Sequence, residues 1–369
     1  MKQAAGIIIG AMVIVGGGFL LFTNQTSNQM LSATDGSSLT IATSFYPLQF
    51  ALERIMGDLG TVTNIGAGRD PHDFSPSTQD MVTMQRADAV VLQGADFEPW
   101  GDDVQARLEA DDVPVIIATA ALKLHEGGHK HEEDTHTEDH GNEHEEKEHG
   151  HDDAHDAGHT DEHGADHAKA DEHGHEQEHE AHADEHEAHA DEDGHEHGSY
   201  DPHTWLDPVL FSQMVDYIAA EISVLDPDNA EVYRANADTL MAELAELHTT
   251  YENRLAQCVL SEVITSHDVL GYVGDRYGFT VHSIAGLSTQ DTPSVTTLAQ
   301  LRAEAAEGIG AILLEENSIT AYGETLARET GLQTLSLNPI AHIIPAGENY
   351  LSLMQKNLDT FAIALQCNE

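Results

Sequence analysis

Six histidines stand apart from a histidine-crowded stretch of this chain: His72, His203, His248, His267, His282 and His342. Three of them lie in loops with a neighbouring carboxylate. His72 sits in Asp70-Pro71-His72-Asp73-Phe74, His203 in Asp201-Pro202-His203-Thr204-Trp205-Leu206-Asp207-Pro208, and His267 in Ser266-His267-Asp268. Neutral imidazole is a good donor to a borderline metal ion, and a zinc site takes about four nitrogen, sulfur or oxygen ligands at ~2.0–2.3 Å from loops that can be far apart in sequence. The neighbouring acids, Asp70 or Asp73, Asp201 or Asp207, and Asp268, are placed to orient each ring through its second nitrogen. His248, inside a long helical stretch, and His282, in or beside a strand, read as ordinary structural histidines. Glu315-Glu316 reads as a solvated acidic pair at a strand end.

The elements that position these loops follow two rhythms. Short β-rich runs at 39–43, 61–65, 89–93 and 114–119 alternate with helical patterns at 47–56 and 76–86, the latter with Ser75 as cap and Pro76 in the first turn. The second half repeats the pattern, with strands near 262–266, 279–284, 311–315 and 333–337. There Thr292-Pro293 offers a helix start, Gly331 a stop, and a last helix covers 349–365. Between the halves, 208–225 and 227–257 read as helices, the second roughly 45 Å long if continuous. Alternating strands and helices imply parallel sheets, so the fold class is α/β with two such lobes. His72 and His267 fall on the strand-to-helix side, where parallel sheets bind ligands.

Residues 125–199 abandon this pattern and hold 20 of the 26 histidines with 28 Asp/Glu and 3 Lys. No core can form from them. Imidazoles such as His125, His129, His131, His173, His175, His195 and His197, set among acids, make weak multivalent binding of zinc, nickel or copper the natural expectation, fading as imidazole protonates near pH ~6.5. Such a tract serves capture and delivery of scarce metal, buffering of excess, or nothing beyond solvation. Outside it the chain still carries 38 acids against 12 bases, and the whole has a net charge of -51. Nucleic acid and anionic membrane surfaces are poor partners for such a surface, and cations are good ones.

The N-terminus, Lys2 followed by an apolar run over 4–22, suits a signal peptide or an N-terminal membrane anchor, with a polar tether over 23–38, so the protein is expected outside the cytoplasm, periplasmic or at the cell surface. No cysteine follows the run for lipid attachment. The two cysteines, Cys258 and Cys367, exclude a thiolate cluster; one disulfide tying the last helix to its own domain, or two free thiols, are the options.

The three histidine loops, with Tyr272 and Tyr277-Gly278 downstream, resemble the signature segments of the zinc and manganese solute-binding proteins of ABC importers, over roughly residues 39–367. The acidic His-rich insertion before the second segment resembles the loop that many zinc-type members carry there. The resemblance implies two lobes, 39–208 with the insertion and 258–369, joined through 209–257 by a long rigid helix, with metal in the cleft. It puts His72, His203 and His267 on the ligand positions, where manganese-type members carry a carboxylate third. Zn(II) is therefore expected over Mn(II). Many members have Asp before Pro where this chain reads Asn338-Pro339, which leaves the fourth position to water, then His342, then Asn338. The implied partners are an ABC permease and its ATPase, with the carrier a monomer and not an enzyme. A metal buffer or metallochaperone without a permease is the alternative, as is a secreted zinc-dependent hydrolase, although HExxH spacing occurs only inside the His-rich tract, at 125–129 and 175–179, where no apolar helical pattern supports it.

Overall fold

A computed structural model describes residues 38–126, 200–289, 291–306, 308–315 and 320–368. The apolar run at 4–22, most of the tether, Glu316, and the tract histidines His129, His131, His173, His175, His195 and His197 lie outside these residues.

Among the described residues, eight strands form two parallel sheets of four. The first contains β1 (Leu39–Thr43), β2 (Gly60–Asn64), β3 (Ala89–Leu92) and β4 (Val115–Ile117) in the order β2-β1-β3-β4. The second contains β5 (Glu262–Thr265), β6 (Thr280–Ser283), β7 (Ile312–Glu315) and β8 (Thr334–Leu337) in the order β6-β5-β7-β8. The same order occurs twice. The inner strand β3 reads Ala-Val-Val-Leu and is buried along its whole length, as a strand covered on both faces must be. In each sheet the direction of strand addition reverses between the first and third strands, which opens a crevice at their carboxyl ends.

Helices α1 (Tyr46–Met56), α2 (Thr78–Arg86) and α3 (Gly101–Ala110) belong to the first half, and α6 (Gly271–Tyr277), α7 (Val295–Glu304), α8 (Ala321–Thr330) and α9 (Tyr350–Ala364) to the second. Two helix starts fall later than the sequence suggests. Helix α2 is capped by Ser77 rather than Ser75, because Asp80 stands three residues after Ser77 and completes a reciprocal capping box, whereas Thr78 stands three after Ser75. Helix α7 is capped by Ser294, whose Oγ accepts the Thr297 amide at 3.0 Å, so Pro293 lies outside the helix. Gly331 closes α8 at φ 76°, a left-handed conformation that favours glycine.

Between the halves run α4 (Pro208–Leu225) and, after a 3-10 turn at Pro227–Asn229, the 26-residue α5 (Ala230–Leu255). Helix α4 is apolar enough to cross a bilayer by length and composition, yet it buries Phe211, Met214, Val215, Ile218 and Ile222, the spacing of one helical face, and packs on α5. Helix α5, about 39 Å long, touches α1 of the first half and α9 of the second. Arg54 meets Glu243 with two hydrogen bonds of 2.8 and 2.9 Å at one contact, and Tyr251 donates to the Met354 carbonyl at 2.6 Å at the other. One continuous core runs from Ile41 through Phe211 and Leu244 to Val263 and Phe361. Smaller clusters lie on the other faces of the sheets, around Val90 and Ile264. Cys258, at the amino end of β5, is disulfide-bonded to Cys367 after α9, across a sequence separation of 109.

Candidate metal centre

His203 is fixed before it can meet any ligand. The residues after it form a 3-10 turn, Thr204–Leu206, and Asp207 then caps α4 by accepting the Val209 amide at 2.8 Å. Buried Trp205 donates its indole N–H to the Pro339 carbonyl at 2.8 Å, and Tyr350 donates to the Trp205 carbonyl at 2.6 Å. Of the two acids the sequence offers as its partner, Asp201 is the one that takes the ring: Oδ1 accepts the backbone N–H of His203 at 2.9 Å and bonds Nδ1 at 2.8 Å. Asp207 instead pairs with Arg276 at 2.5 Å. Tyr272 donates to the Asp201 carbonyl at 2.7 Å, tying this loop to α6.

His267 follows β5 directly, and the carboxylate bonded to its Nδ1 is Glu315, not the adjacent Asp268. The physical reason is topological. Strand β7 lies next to β5, so its last residue arrives beside the first residues after β5, covered to 3% exposure rather than solvated as the sequence suggests. Ser266 also donates to Glu315, at 2.6 Å. The first sheet has a matching pair at its own crevice, where Ser44 after β1 bonds buried Glu98 after β3. His72 is placed differently. Asp70 accepts its backbone N–H at 3.0 Å rather than its ring, while Asp73 is exposed. The second oxygen of Asp70 accepts a hydrogen bond of 3.0 Å from Thr289, on the loop after β6, so the two halves of the chain meet beside His72.

These three loops bring His72, His203 and His267 to one point. One ring nitrogen from each lies within 4.8 Å of the other two, and Nε2 of His72 is 3.4 Å from Nε2 of His203. Two nitrogens on one tetrahedral zinc at ~2.05 Å sit about 3.3 Å apart, so that edge already has the required length. With Nδ1 of His267 engaged by Glu315, its Nε2 is left buried with no hydrogen-bond partner, an arrangement that calls for a ligand. The rings line a cavity of about 20 Å³ together with Asp70, Trp205, Glu315 and His342. That is room for a water or an ion rather than an organic substrate.

The electrostatics suit a cation. Burial, then the neighbouring imidazoles, pushes His72 well below the ordinary histidine range, and burial, then His267, does the same to His203. For His267 burial works in the same direction, but the charge and hydrogen bond of Glu315 outweigh it and raise the value. Burial lifts Asp201 to about 6, which leaves it a carboxylate at neutral pH.

Other sequence candidates fall elsewhere. The amide oxygen of Asn338 accepts the Ile340 N–H at 2.8 Å, and Asn338 does not line the cavity, whereas His342 does. His125 stacks on Tyr272 with ring centroids 4.2 Å apart and lies outside the triad. Its neighbour Glu126 bridges Tyr200, so the two ends of the insertion meet beside the His203 loop. His248 bonds Tyr277 at 3.1 Å, and His282 lies between Glu262 and Glu304, both structural settings. Sequence reasoning missed the roles of Glu315 and Thr289. The signal for Glu315 was an acid directly closing the apolar run Ala311-Ile312-Leu313-Leu314 of an inner strand.

Comparison with known proteins gives concordant matches. The family model for zinc-uptake complex component A, periplasmic (ZnuA), matches residues 41–364. The zinc-binding lipoprotein AdcA of Streptococcus pneumoniae is 31% identical over 344 residues, 92% of this chain and 57% of the relative, so the chain spans little more than half of that protein's length. The high-affinity zinc uptake system protein ZnuA of Bacillus subtilis is 28% identical over 362 residues, covering 96% of this chain and 97% of the relative. Among solved structures, Zn(II)-bound AdcA from S. pneumoniae superposes with a TM-score of 0.64 at 27% identity, over 89% of this chain and 58% of that one.

Proposed function

The chain belongs to the family of periplasmic zinc-uptake component A, and from that premise we propose that it captures Zn(II) outside the cytoplasm and delivers it to the permease of an ABC importer. His72, His203 and His267 hold the ion through Nε2. The observation that carries this reading is the convergence of three ring nitrogens from remote loops within 4.8 Å of one another. The names of the relatives support zinc as the cargo, and a shell of imidazoles supports it over the harder Mn(II).

Bound and free forms must differ for a permease to read occupancy, and the difference has to come from contacts that the ion makes in one form and not the other. Ligands from both halves of the chain supply that: the ion holds the His72 loop against His203 and His267, whose loops are already tied together through Tyr272 and Trp205, while α5, seated against α1 and α9, keeps the change small. The Asp70–Thr289 hydrogen bond is a contact of the closed form. The His-rich insertion, whose ends meet beside the His203 loop, collects zinc loosely and raises its concentration near the site.

The test is a zinc titration of the full chain against a chromophoric chelator strong enough to keep the tract's weak sites silent. One tight site is expected, lost in His72→Ala, His203→Ala and His267→Ala. Unchanged affinity in all three variants would defeat the proposal.

A further inference from the structure

The cavity that holds the triad has a fourth imidazole on its wall. His342 follows β8 in the segment Asn338-Pro339-Ile340-Ala341-His342, and its Nδ1 is buried with no hydrogen-bond partner. Nε2 of His267, on the wall of the same cavity, is likewise buried with no hydrogen-bond partner. The oxygen donors nearby are engaged. Glu315 serves His267 and Ser266, Asp70 serves the His72 amide and Thr289, and the amide oxygen of Asn338 serves Ile340.

The backbone that carries His342 is held in an unfavourable shape. Ile340, β-branched and fully buried, has φ 58°, a region that is unfavourable for a non-glycine residue and persists only where the surroundings impose it. Three contacts impose it here: Asn338 Oδ1 on the Ile340 amide at 2.8 Å, Trp205 Nε1 on the Pro339 carbonyl at 2.8 Å, and the Tyr46 amide on the Ala341 carbonyl at 3.4 Å. Trp205 is two residues from His203, so the segment that aims His342 is bolted to the loop that aims a triad ligand.

Building on the three-histidine reading above, we propose that His342 is the fourth ligand and that the ion is held by four imidazoles. Its nitrogens lie outside the group that is mutually within 4.8 Å, so the ring swings inward as the ion enters, while the three triad rings are already placed. A shell of four neutral nitrogens, with the charges of Asp201 and Glu315 one hydrogen bond behind it, selects borderline ions such as Zn(II), Ni(II) and Cu(II) over Mn(II). His342 thereby becomes a determinant of specificity.

The experiment compares the full chain with His342→Ala, His342→Gln and His203→Ala, reading Zn(II) affinity by chelator competition and the visible absorption of the one-equivalent Co(II) complex. Thermal unfolding of the metal-free proteins serves as the folding control. Both His342 variants are expected to bind zinc at least about tenfold more weakly, since even the loss of an outer-shell partner costs ~10–100-fold. They are also expected to lose the intense absorption of four-coordinate Co(II). Wild-type affinity and an unaltered Co(II) spectrum in both His342 variants, with binding still abolished in His203→Ala, overturn the fourth ligand and leave the triad standing. Undiminished binding in His203→Ala overturns the triad and this proposal with it.

Discussion

One carboxylate oxygen holds His203 from behind: Asp201 Oδ1 meets both the backbone N–H, at 2.9 Å, and the ring Nδ1, at 2.8 Å. A carboxylate only accepts, so Nδ1 must carry the proton and Nε2 must present its lone pair. The tautomer needed for metal binding is therefore built in, and the ring cannot turn without breaking its bond to a carboxylate that the backbone N–H also holds in place.

Removing that hold should cost affinity without removing a ligand. Asp201→Ala is expected to weaken zinc binding ~10–100-fold, with a smaller loss in Asp201→Asn, whose amide oxygen still accepts. Chelator competition at pH 8 checks this, and wild-type affinity in Asp201→Ala would contradict it.

Glu315 makes a prediction about pH. It raises the value of His267, so zinc must displace a proton that an ordinary histidine would already have lost. As pH falls through that raised value, the protonated form gains and affinity drops; below about 6 the protonation of Asp201 adds to the loss. In Glu315→Gln the raising effect of the Glu315 charge is lost, and burial, which lowers the value, is opposed only by the charges of Asp268 and Asp70. Zinc affinity measured from about pH 8 to about pH 5 should be weaker in the variant at the alkaline end, with its fall displaced to lower pH. A fall displaced to higher pH would contradict the assignment.

Thr289→Val removes the hydrogen bond that reaches Asp70 from the other half of the chain. A typical net contribution is about 0.5–1.5 kcal/mol, so zinc dissociation should quicken by a few-fold to about tenfold while unfolding of the metal-free protein changes little. Stopped-flow release into excess chelator measures it, and an unchanged rate would exclude the contact from the closed form.

The Cys258–Cys367 bond lies at the amino end of β5, opposite the carboxyl end from which His267 projects. Reduction, or Cys258→Ser with Cys367→Ser, should lower stability by about 2–5 kcal/mol and leave zinc affinity unchanged within about twofold. Denaturant unfolding and metal titration of the same samples separate the two effects. A large loss of zinc affinity in folded, reduced protein would show that the bond also shapes the site.

Much of this was legible in the sequence because the loops are local objects. Pro202 and Pro208 bracket the His203 loop, and Asp201 stands two residues from the ring it holds. The β-rich runs place all eight strands to within a residue or two, since half-buried and buried strands write their burial into short apolar runs. The partner of His267 was not legible. Glu315 is 48 residues away, and only the sheet order β5-β7 makes them neighbours, while adjacent Asp268 looked the simpler choice. Helix starts misled for a related reason: Ser75-Pro76 and Thr292-Pro293 are both sound signals, but Ser77 with Asp80 and Ser294 with Thr297 satisfy more of the first-turn amides.

The most direct test of three histidines sharing one ion is a crystal of the chain with one equivalent of zinc, measured on both sides of the zinc absorption edge. The anomalous difference map should show a single strong peak ~2.0–2.1 Å from Nε2 of His72, His203 and His267. A tightly bound zinc whose peak lies away from those nitrogens would contradict the account.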